Sequence, residues 1–410
     1  MKGADGPGLV VPSAVREIAR ELGRAEASLP AYVYDLDGLA AHVAGVRAAV
    51  GARAELFYAV KANPDPALVR VVAGRADGLE VSSGGELRHV AAAAAGARLA
   101  FGGPGKTAGE IAAALAAGVA RFHVESLHEL RLLGAAALAA GRRADILLRA
   151  NLAAGEDDGP ASASGLVMGG PSPFGLDPAG LDDCAGWLAA GSAEAGQVRL
   201  RGLHAHLASG LDAAALLESA GRVLRFARAW CARHGVRAPE VNLGGGMGVD
   251  YGAPGTRFDW ARYGAGLAAA ARAGETIRIE PGRALTAYCG WYVTRVLDVK
   301  RSHGRTFAVV AGGTHHLRTP AAKGHSQPFA VLPGERWAHD WARPAVVSEP
   351  LTVAGQLCTP RDVLARDVPV DRVRAGDLLA FGLAGAYAWN ISHHGFLMHP
   401  GPGFHYLGTG

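Results

Sequence analysis

The amino-acid sequence predicts a (β/α)₈ barrel followed by a mostly-β domain. Between residues 55 and 283, short apolar runs alternate with longer, Ala-rich amphipathic segments. Beyond Arg283 the runs are rich in β-branched and aromatic residues. Apolar strands that alternate with helices indicate a parallel sheet covered on both faces, and eight of them in this length fit a closed barrel. An open doubly wound sheet is the alternative.

Eight apolar runs are the predicted barrel strands, and five helical patterns separate them. The runs are Leu56–Val60, Gly78–Val81, Arg98–Phe101, Arg121–Val124, Ile146–Ala150, Arg199–His206, Glu240–Leu243 and Thr276–Ile279. The helical patterns are Gly85–Ala95, Ala108–Ala117, Ser126–Ala140, Ala213–His234 and Trp260–Ala273.

The change of composition near residue 285 predicts a domain boundary there. We assign residues 31–285 to the barrel and 286–410 to the β domain, whose predicted strands are Trp291–Val299, Thr306–Val310, Ala345–Val353 and Leu378–Phe381. Residues 1–30 form a separate segment with one short helical pattern, and the β domain is the suggested packing partner. The Gly-, Ser- and Pro-rich stretch Ala153–Pro173 predicts a long mobile loop at the barrel rim.

Composition narrows the class of protein. The 410 residues are 50% hydrophobic and 19% charged, with a formal net charge of +4, which is typical of a compact chain. We find no basic block interleaved with aromatic residues, no signal-peptide pattern and no membrane-length apolar run. The four cysteines are scattered, without metal-ligand spacing. We therefore expect a cytoplasmic protein without a nucleic-acid partner, a membrane partner or a bound metal.

Lys61 is the first candidate functional residue, because catalytic groups of such barrels lie at the carboxyl ends of the strands. It ends the first run, within Tyr58–Asn63. A lysine that ends a buried strand is costly to desolvate, and it is tolerated when its amine is neutral or forms a Schiff base. The alternative is a lysine that emerges into solvent.

Two histidines, His204 and His206, end the sixth run and are predicted to share one strand face. They are possible metal ligands, but no third ligand is evident at the neighbouring strand ends. Hydrogen-bonded rim residues are the alternative interpretation.

A glycine cluster and an acid–arginine pair follow the last two strands. Gly244–Gly248 follows the seventh run, and backbone amides of consecutive glycines can wrap an anion. Glu280 and Arg283 end the eighth run, and barrels commonly bind phosphate at this position. An amine, a carboxylate and a phosphate cradle at one mouth meet the needs of pyridoxal 5′-phosphate.

These motifs together resemble the fold-type III pyridoxal-phosphate-dependent decarboxylases, which include diaminopimelate, ornithine and arginine decarboxylases and share an alanine-racemase-like barrel. The matching segments run in order from about residue 31 to the carboxyl terminus. They are Tyr58–Asn63, Ser82–Glu86, Phe174–Gly175, Gly202–Ser209, Gly244–Gly248, Glu280–Arg283, Cys358 and Gly385–Tyr387.

The resemblance implies a role for each matching residue. Lys61 would bind the cofactor covalently, His206 would stack on its ring, and Glu280 would pair with the ring nitrogen. The phosphate would be bound by Gly244, Gly245, Gly246, Arg283 and Tyr387. Cys358 would protonate the carbanion across the interface of a homodimer with shared active sites, whereas a buried structural thiol is the alternative for this cysteine.

The residues after Cys358 differ from the branches that act on basic amino acids. In those branches an acid follows the cysteine directly, but Thr359 and Pro360 stand here, and Asp362 has a different register. With His315 and Arg318 nearby in the sequence, a substrate that carries carboxylates or hydroxyls is favoured. We name Arg318, His315, Thr359 and Asp362 as candidate substrate contacts.

Together with Ser392–His399, these residues resemble decarboxylases of carboxylate-siderophore biosynthesis, which act on conjugates such as citryl-diaminopropionate. Two further interpretations stay open. One is a meso-diaminopimelate decarboxylase of lysine biosynthesis, and the other is an amino-acid racemase of the same fold. A non-enzymatic pyridoxal-phosphate carrier is disfavoured by the β domain with its Cys358 and Tyr387.

Overall fold

The structure is a computed structural model and describes residues 9–24, 28–153, 166–167 and 169–410. Most of the predicted rim loop, residues 154–165 and 168, lies outside the described residues, as do residues 1–8 and 25–27 of the amino-terminal segment.

Eighteen strands and eleven α-helices are described. The strands are β1 (Ala31–Asp35), β2 (Ala54–Ala59), β3 (Gly78–Val81), β4 (Leu99–Phe101), β5 (Arg121–Val124), β6 (Ala144–Arg149), β7 (Leu166–Val167), β8 (Val198–His204), β9 (Ala208–Ser209), β10 (Glu240–Asn242), β11 (Thr276–Ile279), β12 (Gly290–Ser302), β13 (Arg305–Val310), β14 (Phe329–Leu332), β15 (Ala345–Ala354), β16 (Val363–Arg374), β17 (Leu378–Phe381) and β18 (Gly403–Leu407). The helices are α1 (Ser13–Arg24), α2 (Leu36–Val50), α3 (Pro66–Ala73), α4 (Gly84–Ala93), α5 (Ala108–Ala116), α6 (Leu127–Ala139), α7 (Pro178–Ala189), α8 (Ala213–Arg233), α9 (Trp260–Ala270), α10 (Arg283–Thr286) and α11 (Thr319–Lys323).

Eight parallel strands close into a barrel in the order β10-β11-β2-β3-β4-β5-β6-β8, with β8 paired to β10. This confirms the predicted fold and excludes the open sheet, because β11 pairs with β2 and leaves the barrel no free edge. Each predicted apolar run matches a barrel strand within two residues at either end. The apolar pattern was informative because nearly every strand residue is buried.

Side-chain caps fix where the barrel helices begin. Ser, Thr and Asp side chains accept a hydrogen bond from the first-turn amides, which otherwise lack an intrahelical partner. The caps are Asp65, Ser83, Thr107, Ser126, Asp177, Asp212 and Asp259. Thr107 and Glu110 form a complete capping box.

The chain divides into two compact units that differ from the predicted domains. The barrel unit holds residues 41–248 and 258–285, and the β unit holds the described residues up to Ala40, residues 249–257 and residues 286–410. Residues 31–35, which we had assigned to the barrel, form β1 in the sheet of the β unit. A strand followed by a helix looks like a β/α unit in sequence, but β1 hydrogen-bonds to β12 and β18.

The β unit contains an eight-stranded sheet with the path β14-β17-β12-β13-β15-β16, and β1 joins β12 to β18. Helix α1 packs on this sheet through Val15 and Ala19, which are fully buried with Val33, Val293 and Ala380 in one apolar cluster. The amino-terminal helix therefore belongs to the core of the β unit. Each helix in the described part of the chain is too short or too polar to cross a membrane.

Candidate active site

Lys61 lies just beyond β2, in a single 3₁₀ turn over Val60–Ala62. Its Nζ donates to Glu80 Oε2 at 3.0 Å; the lysine side chain is 49% exposed and that of Glu80 is 5% exposed. The expectation that Lys61 is costly to desolvate is therefore wrong, because the strand end opens and a buried carboxylate balances the charge. An accessible amine can attack an incoming aldehyde, as Schiff-base formation requires.

Glu80 is a buried acid of β3 that the sequence analysis missed. Its second carboxylate oxygen, Oε1, accepts a hydrogen bond from Ser82 Oγ at 2.9 Å. Burial acts to raise the pKa of Glu80, but the charge and hydrogen bond of Lys61 outweigh it and hold this pKa below its ordinary value. Glu80 is thus ionised and fixes the position of the Lys61 ammonium.

Glu280 is the second buried acid of the barrel unit and directly follows β11. Its Oε1 accepts a hydrogen bond from Asn242 Nδ2 at 2.6 Å. Burial, and then the negative charge of Glu80, raises the pKa of Glu280 to about 7. Among the described residues no cation lies in hydrogen-bond contact with this carboxylate, so the site is electrostatically suited to a positively charged ring nitrogen.

Two histidine rings lie beside Glu280. The rings of His123 and His204 are 4.4 Å apart, and their Nε2 atoms lie 3.6 and 3.9 Å from the nearer Glu280 oxygens. Burial holds the pKa of each histidine well below its ordinary value, so both rings are neutral.

This cluster supplies the third ligand-type residue that we had not found by sequence, since one atom from each of His123, His204 and Glu280 lies within 4.8 Å of the others. However, Asn242 Nδ2 also lies 3.3 Å from His123 Nε2 and 2.6 Å from Glu280 Oε1, so its two N–H bonds occupy the space between them. Asn242 thus links His123 to Glu280 by hydrogen bonds, and His204 joins the group through its ring contact with His123.

His206 lies two residues beyond the end of β8. Its Nδ1 accepts a hydrogen bond from the Gly245 amide at 3.2 Å, and its Nε2 lies 3.3 Å from Ser209 Oγ. Burial, and then the charge of Lys61, lowers the pKa of His206 to about 4. The ring is therefore neutral, and both of its nitrogens have partners that fix its plane.

The glycine loop after β10 has no room for side chains. A Cβ on Gly246 would lie 2.4 Å from Ala208 O, and one on Gly244 would lie 2.7 Å from His206 Cβ; both residues have positive φ. The Gly244 amide donates to Asn242 Oδ1 and the Gly245 amide to His206. Within the described residues the Gly246 amide donates to no protein acceptor, so it is the one open donor of the three amides predicted to bind phosphate.

In the β unit, Cys358 stands on a tight turn supported by Asp362. The Thr359 amide donates to Leu357 O, and the Asp362 amide donates to Thr359 O. Cys358 is exposed, unlike the other three cysteines, so the alternative of a buried structural thiol is wrong.

Asp362 is 1% exposed, and its carboxylate accepts three hydrogen bonds. Two come from the amide and hydroxyl of Thr314 at 2.6 and 2.8 Å, and one comes from the Leu357 amide at 2.8 Å. These contacts make Asp362 a support for two loops, which argues against the substrate contact that we had suggested for it.

The other candidate substrate residues have different surroundings. Arg318 is exposed, and its backbone amide donates to Ser392 Oγ at 3.1 Å. His315 is buried, and neither of its ring nitrogens has a partner among the described residues. Burial lowers the pKa of His315 to about 4, so its ring is neutral. Tyr387 has a φ of 49°, an uncommon backbone angle that often marks functional positions.

Three residues of the barrel unit escaped the sequence analysis: Glu80, His123 and Asn242. Each is a polar residue inside a short apolar strand, and each is buried. A buried polar side chain needs a partner, so polar interruptions of barrel strands were the signal that could have found them.

With this geometry established, the chain can be compared with known proteins. Residues 36–287 match the family described as pyridoxal-dependent decarboxylase, pyridoxal binding domain. The chain belongs to this family. Its cofactor is pyridoxal phosphate, and the described residues fit that group: an accessible amine, a buried carboxylate without a contacting cation, and a glycine loop with an open amide. The racemase alternative finds no support, because the relatives described below are all decarboxylases.

Full-length relatives of this decarboxylase differ in substrate. A Staphylococcus aureus protein named 2-[(L-alanin-3-ylcarbamoyl)methyl]-2-hydroxybutanedioate decarboxylase is 35% identical over 382 residues, covering 92% of this chain and 93% of that protein. The L-glutamyl-[BtrI acyl-carrier protein] decarboxylase of Niallia circulans is 31% identical and covers 91% and 87%. The diaminopimelate decarboxylase of Deinococcus radiodurans is 35% identical and covers 91% and 88%.

Solved structures agree with the fold. Diaminopimelate decarboxylase from Helicobacter pylori, complexed with L-lysine, superimposes with a TM-score of 0.81 at 23% identity and covers 95% of this chain and 94% of that chain. The lysine/ornithine decarboxylase of Vibrio vulnificus, complexed with putrescine, gives 0.78 at 19% identity and covers 98% and 100%. At these identities the likeness shows the fold alone.

Proposed function

We propose that this enzyme decarboxylates the amino-acid centre of a carboxylate-bearing conjugate such as citryl-diaminopropionate, in siderophore biosynthesis. The similarity to the S. aureus decarboxylase along 92% of the chain carries the proposal. The name of that enzyme describes its substrate as a citrate joined through an amide nitrogen to carbon 3 of L-alanine, that is, citrate conjugated to 2,3-diaminopropionate. A cytoplasmic location stays a prediction of the sequence.

The barrel unit would hold the cofactor through the residues described above. Lys61 would bind the aldehyde carbon, and Glu280 would accept a hydrogen bond from the ring nitrogen and stabilise its positive charge. His206, held neutral and fixed by Gly245 and Ser209, would stack on the ring. The Gly246 amide and Arg283 would bind the phosphate, while Gly244 and Gly245 would position Asn242 and His206. Tyr387 belongs to the β unit, and its contact with the phosphate stays a prediction of the sequence. Bound pyridoxal phosphate supplies an electron sink for the reacting carbon.

Once the carbon–carbon bond has broken and carbon dioxide has left, a proton must reach the reacting carbon. We assign this proton to the thiol of Cys358, which the turn over Leu357–Asp362 holds at the surface. A surface position suits a residue that serves the active site of another subunit, so the proposal includes a homodimer with shared active sites.

The far end of the substrate would meet the β unit. The guanidinium of Arg318 is exposed and has no acid within salt-bridge distance among the described residues, so it can bind a carboxylate. Arg318 and His393 lie close enough for the arginine charge to lower the pKa of His393 further, after burial as the larger cause. Thr359 would offer a hydroxyl, and His315 an imidazole N–H without a protein partner. The acid that would bind a distal ammonium is absent after Cys358.

Substrate competition tests the assignment. We expect the kcat/KM for citryl-diaminopropionate to exceed that for meso-diaminopimelate by at least about 100-fold, because a site that lacks an acid leaves the distal ammonium of diaminopimelate unpaired. Carbon dioxide release from both substrates, measured with the same enzyme preparation, gives the ratio. A preference for diaminopimelate would overturn the substrate proposal in favour of lysine biosynthesis.

Borohydride reduction tests the cofactor anchor. Reduction of the purified enzyme, followed by peptide mass spectrometry, should find the pyridoxyl group on Lys61, and Lys61→Ala should yield no labelled peptide. Lys106→Ala is the control, because the Lys106 amine already forms an ion pair with Glu129 at 2.7 Å. This variant should still carry the label on Lys61. A label on any other lysine would refute the assigned anchor.

A further inference from the structure

Asn242 connects three groups of the barrel unit. It ends β10, is fully buried, and satisfies each of its polar atoms inside the protein. Oδ1 accepts a hydrogen bond from the Gly244 amide at 2.9 Å, whereas Nδ2 donates to Glu280 Oε1 at 2.6 Å and lies 3.3 Å from His123 Nε2. These contacts fix the orientation of the amide, because only an oxygen can accept from Gly244 N–H.

The orientation of the Glu280 carboxylate depends on the Asn242 amide. Among the residues that the structure describes, Asn242 is the one hydrogen-bond donor to the Glu280 carboxylate, since the nearest histidine nitrogens lie 3.6 and 3.9 Å away. The donor is neutral, so it orients the carboxylate without neutralising it. A buried carboxylate that loses its donor bears the full cost of desolvation.

Asn242 also determines the tautomer of His123. Because Nδ2 donates to His123 Nε2, the ring proton is placed on Nδ1, and His123 cannot donate to Glu280. Neither Asn242 nor the neutral ring of His123 can therefore place a positive charge in contact with Glu280. A contacting cation would have to come from another group.

We propose that Asn242 is a positioning residue that aims the Glu280 carboxylate at the ring nitrogen of the cofactor and couples that carboxylate to the Gly244–Gly246 loop that binds the phosphate. This inference rests on the proposed placement of the cofactor in the barrel unit. One side chain would thus set the distance between the two ends of the cofactor site.

The surroundings of Glu280 explain why an amide rather than an acid is needed. The other titratable or charged groups that act on Glu280 come from several strand ends: Glu80, His123, His204, Arg278 and Lys61. With Glu80 already ionised nearby, an aspartate at position 242 would place a further carboxylate at hydrogen-bond distance from Glu280, and two such groups cannot both ionise. Asn242→Asp is therefore a sharp test, because it keeps the shape and the acceptor for Gly244.

The experiment measures cofactor binding and the spectrum of the bound cofactor. Pyridoxal phosphate is titrated into the apo forms of wild type, Asn242→Asp and Asn242→Ala at pH 8, and the visible absorption of each loaded enzyme is followed against pH. We expect the dissociation constant to rise about 10- to 100-fold in both variants, as for loss of a hydrogen bond to a charged group. The pH transition of the bound cofactor should also move in both variants, and kcat should fall with little change in KM.

A double variant separates positioning from general damage. If Asn242 acts through Glu280, then Asn242→Ala should raise the dissociation constant by a smaller factor in the Glu280→Gln background than in wild type, because the contact with Glu280 is already altered and only the hydrogen bond to the Gly244 amide is newly lost. Thermal unfolding of the apo forms checks that each variant is folded.

Three outcomes are decisive. Wild-type cofactor affinity and pH transition in Asn242→Asp would overturn the inference, and so would an undiminished effect of Asn242→Ala in the Glu280→Gln background. If wild type itself were not labelled on Lys61, the proposed function would fail first, and that result is read from the borohydride experiment alone.

Discussion

The two units of the chain carry their candidate residues in opposite ways. In the barrel unit, Lys61, Glu280 and His206 are each held by a hydrogen bond from or to a neighbour in the same unit. In the β unit, Cys358 and Arg318 are exposed on turns, and their functional groups face solvent in the single chain.

This difference indicates that cofactor binding and substrate selection place different requirements on the residues involved. The cofactor is constant within the family, so the residues that bind it can be fixed by hydrogen bonds to their neighbours. The substrate varies among relatives that share about a third of their residues, and exposed turns can change without disturbing a core.

Cys358→Ala should give the largest effect. Loss of a positioned acid reduces kcat on the order of 10²- to 10⁴-fold, while the bound cofactor and its colour are kept. Cys231→Ala, a buried cysteine of α8, is the control and should turn over normally.

Mixing tests whether Cys358 acts in a partner subunit. Random reassociation of Lys61→Ala with Cys358→Ala subunits should restore up to about one quarter of wild-type activity, because half of the dimers then contain one intact site. No recovery from a reassociated dimer would place Cys358 and Lys61 in the same subunit's site.

Asp362→Ala should have the next largest effect. Losing the acceptor of three buried hydrogen bonds should lower the free energy of unfolding by about 3 kcal/mol, measured by urea denaturation. The ratio of kcat/KM values for the citryl conjugate and diaminopimelate should stay the same, since the Asp362 carboxylate is engaged by Thr314 and Leu357. A changed ratio would return Asp362 to the substrate site.

Arg318→Ala should raise the KM for the citryl conjugate about tenfold, as expected for one exposed, charge-assisted contact. The KM for diaminopimelate should change less than about twofold. Arg336→Ala, another exposed arginine of the β unit, is the matched control. Equal effects on both substrates would indicate a structural role for Arg318.

A further effect concerns how the free energy of unfolding depends on pH. The pKa of Glu280 is raised from 4.5 to about 7, so the folded apo protein holds a proton that the unfolded chain has lost, and this group destabilises the fold as pH rises through that window. Glu280→Gln should remove this slope, worth at most about 3 kcal/mol, from the apo unfolding curve.

His315 has the opposite sign, because its pKa is lowered from 6.5 to about 4 and its contribution is lost as pH falls through that range. The two pH windows, 4.5 to about 7 for Glu280 and about 4 to 6.5 for His315, overlap, so the two variants should change the slope of the free energy of unfolding against pH in opposite directions over the same range. Slope changes in the same direction would show that the opposite assignments of the two groups are wrong.

Sequence patterns predicted the barrel well because its strands are buried on both faces, so local hydrophobicity reports them directly. The same patterns misplaced β1, since pairing partners are not encoded locally. Motifs predicted the residues that we propose to bind the cofactor, but they did not predict the residues that hold those side chains in place. Asn242 and His123 act through contacts between strands far apart in sequence, which only the closed barrel brings together.

The pairing of β1 with β18 affects how the protein is made. Two strands that are far apart in sequence lie side by side, Ala31 opposite Gly403, so the chain must be synthesised through β18 before this sheet is whole. The barrel strands emerge earlier and can close on the ribosome, whereas β1 waits with an unpaired edge. A nascent chain stalled before Gly403 would carry a formed barrel and an aggregation-prone strand, so the folding of the β unit waits for the synthesis of β18.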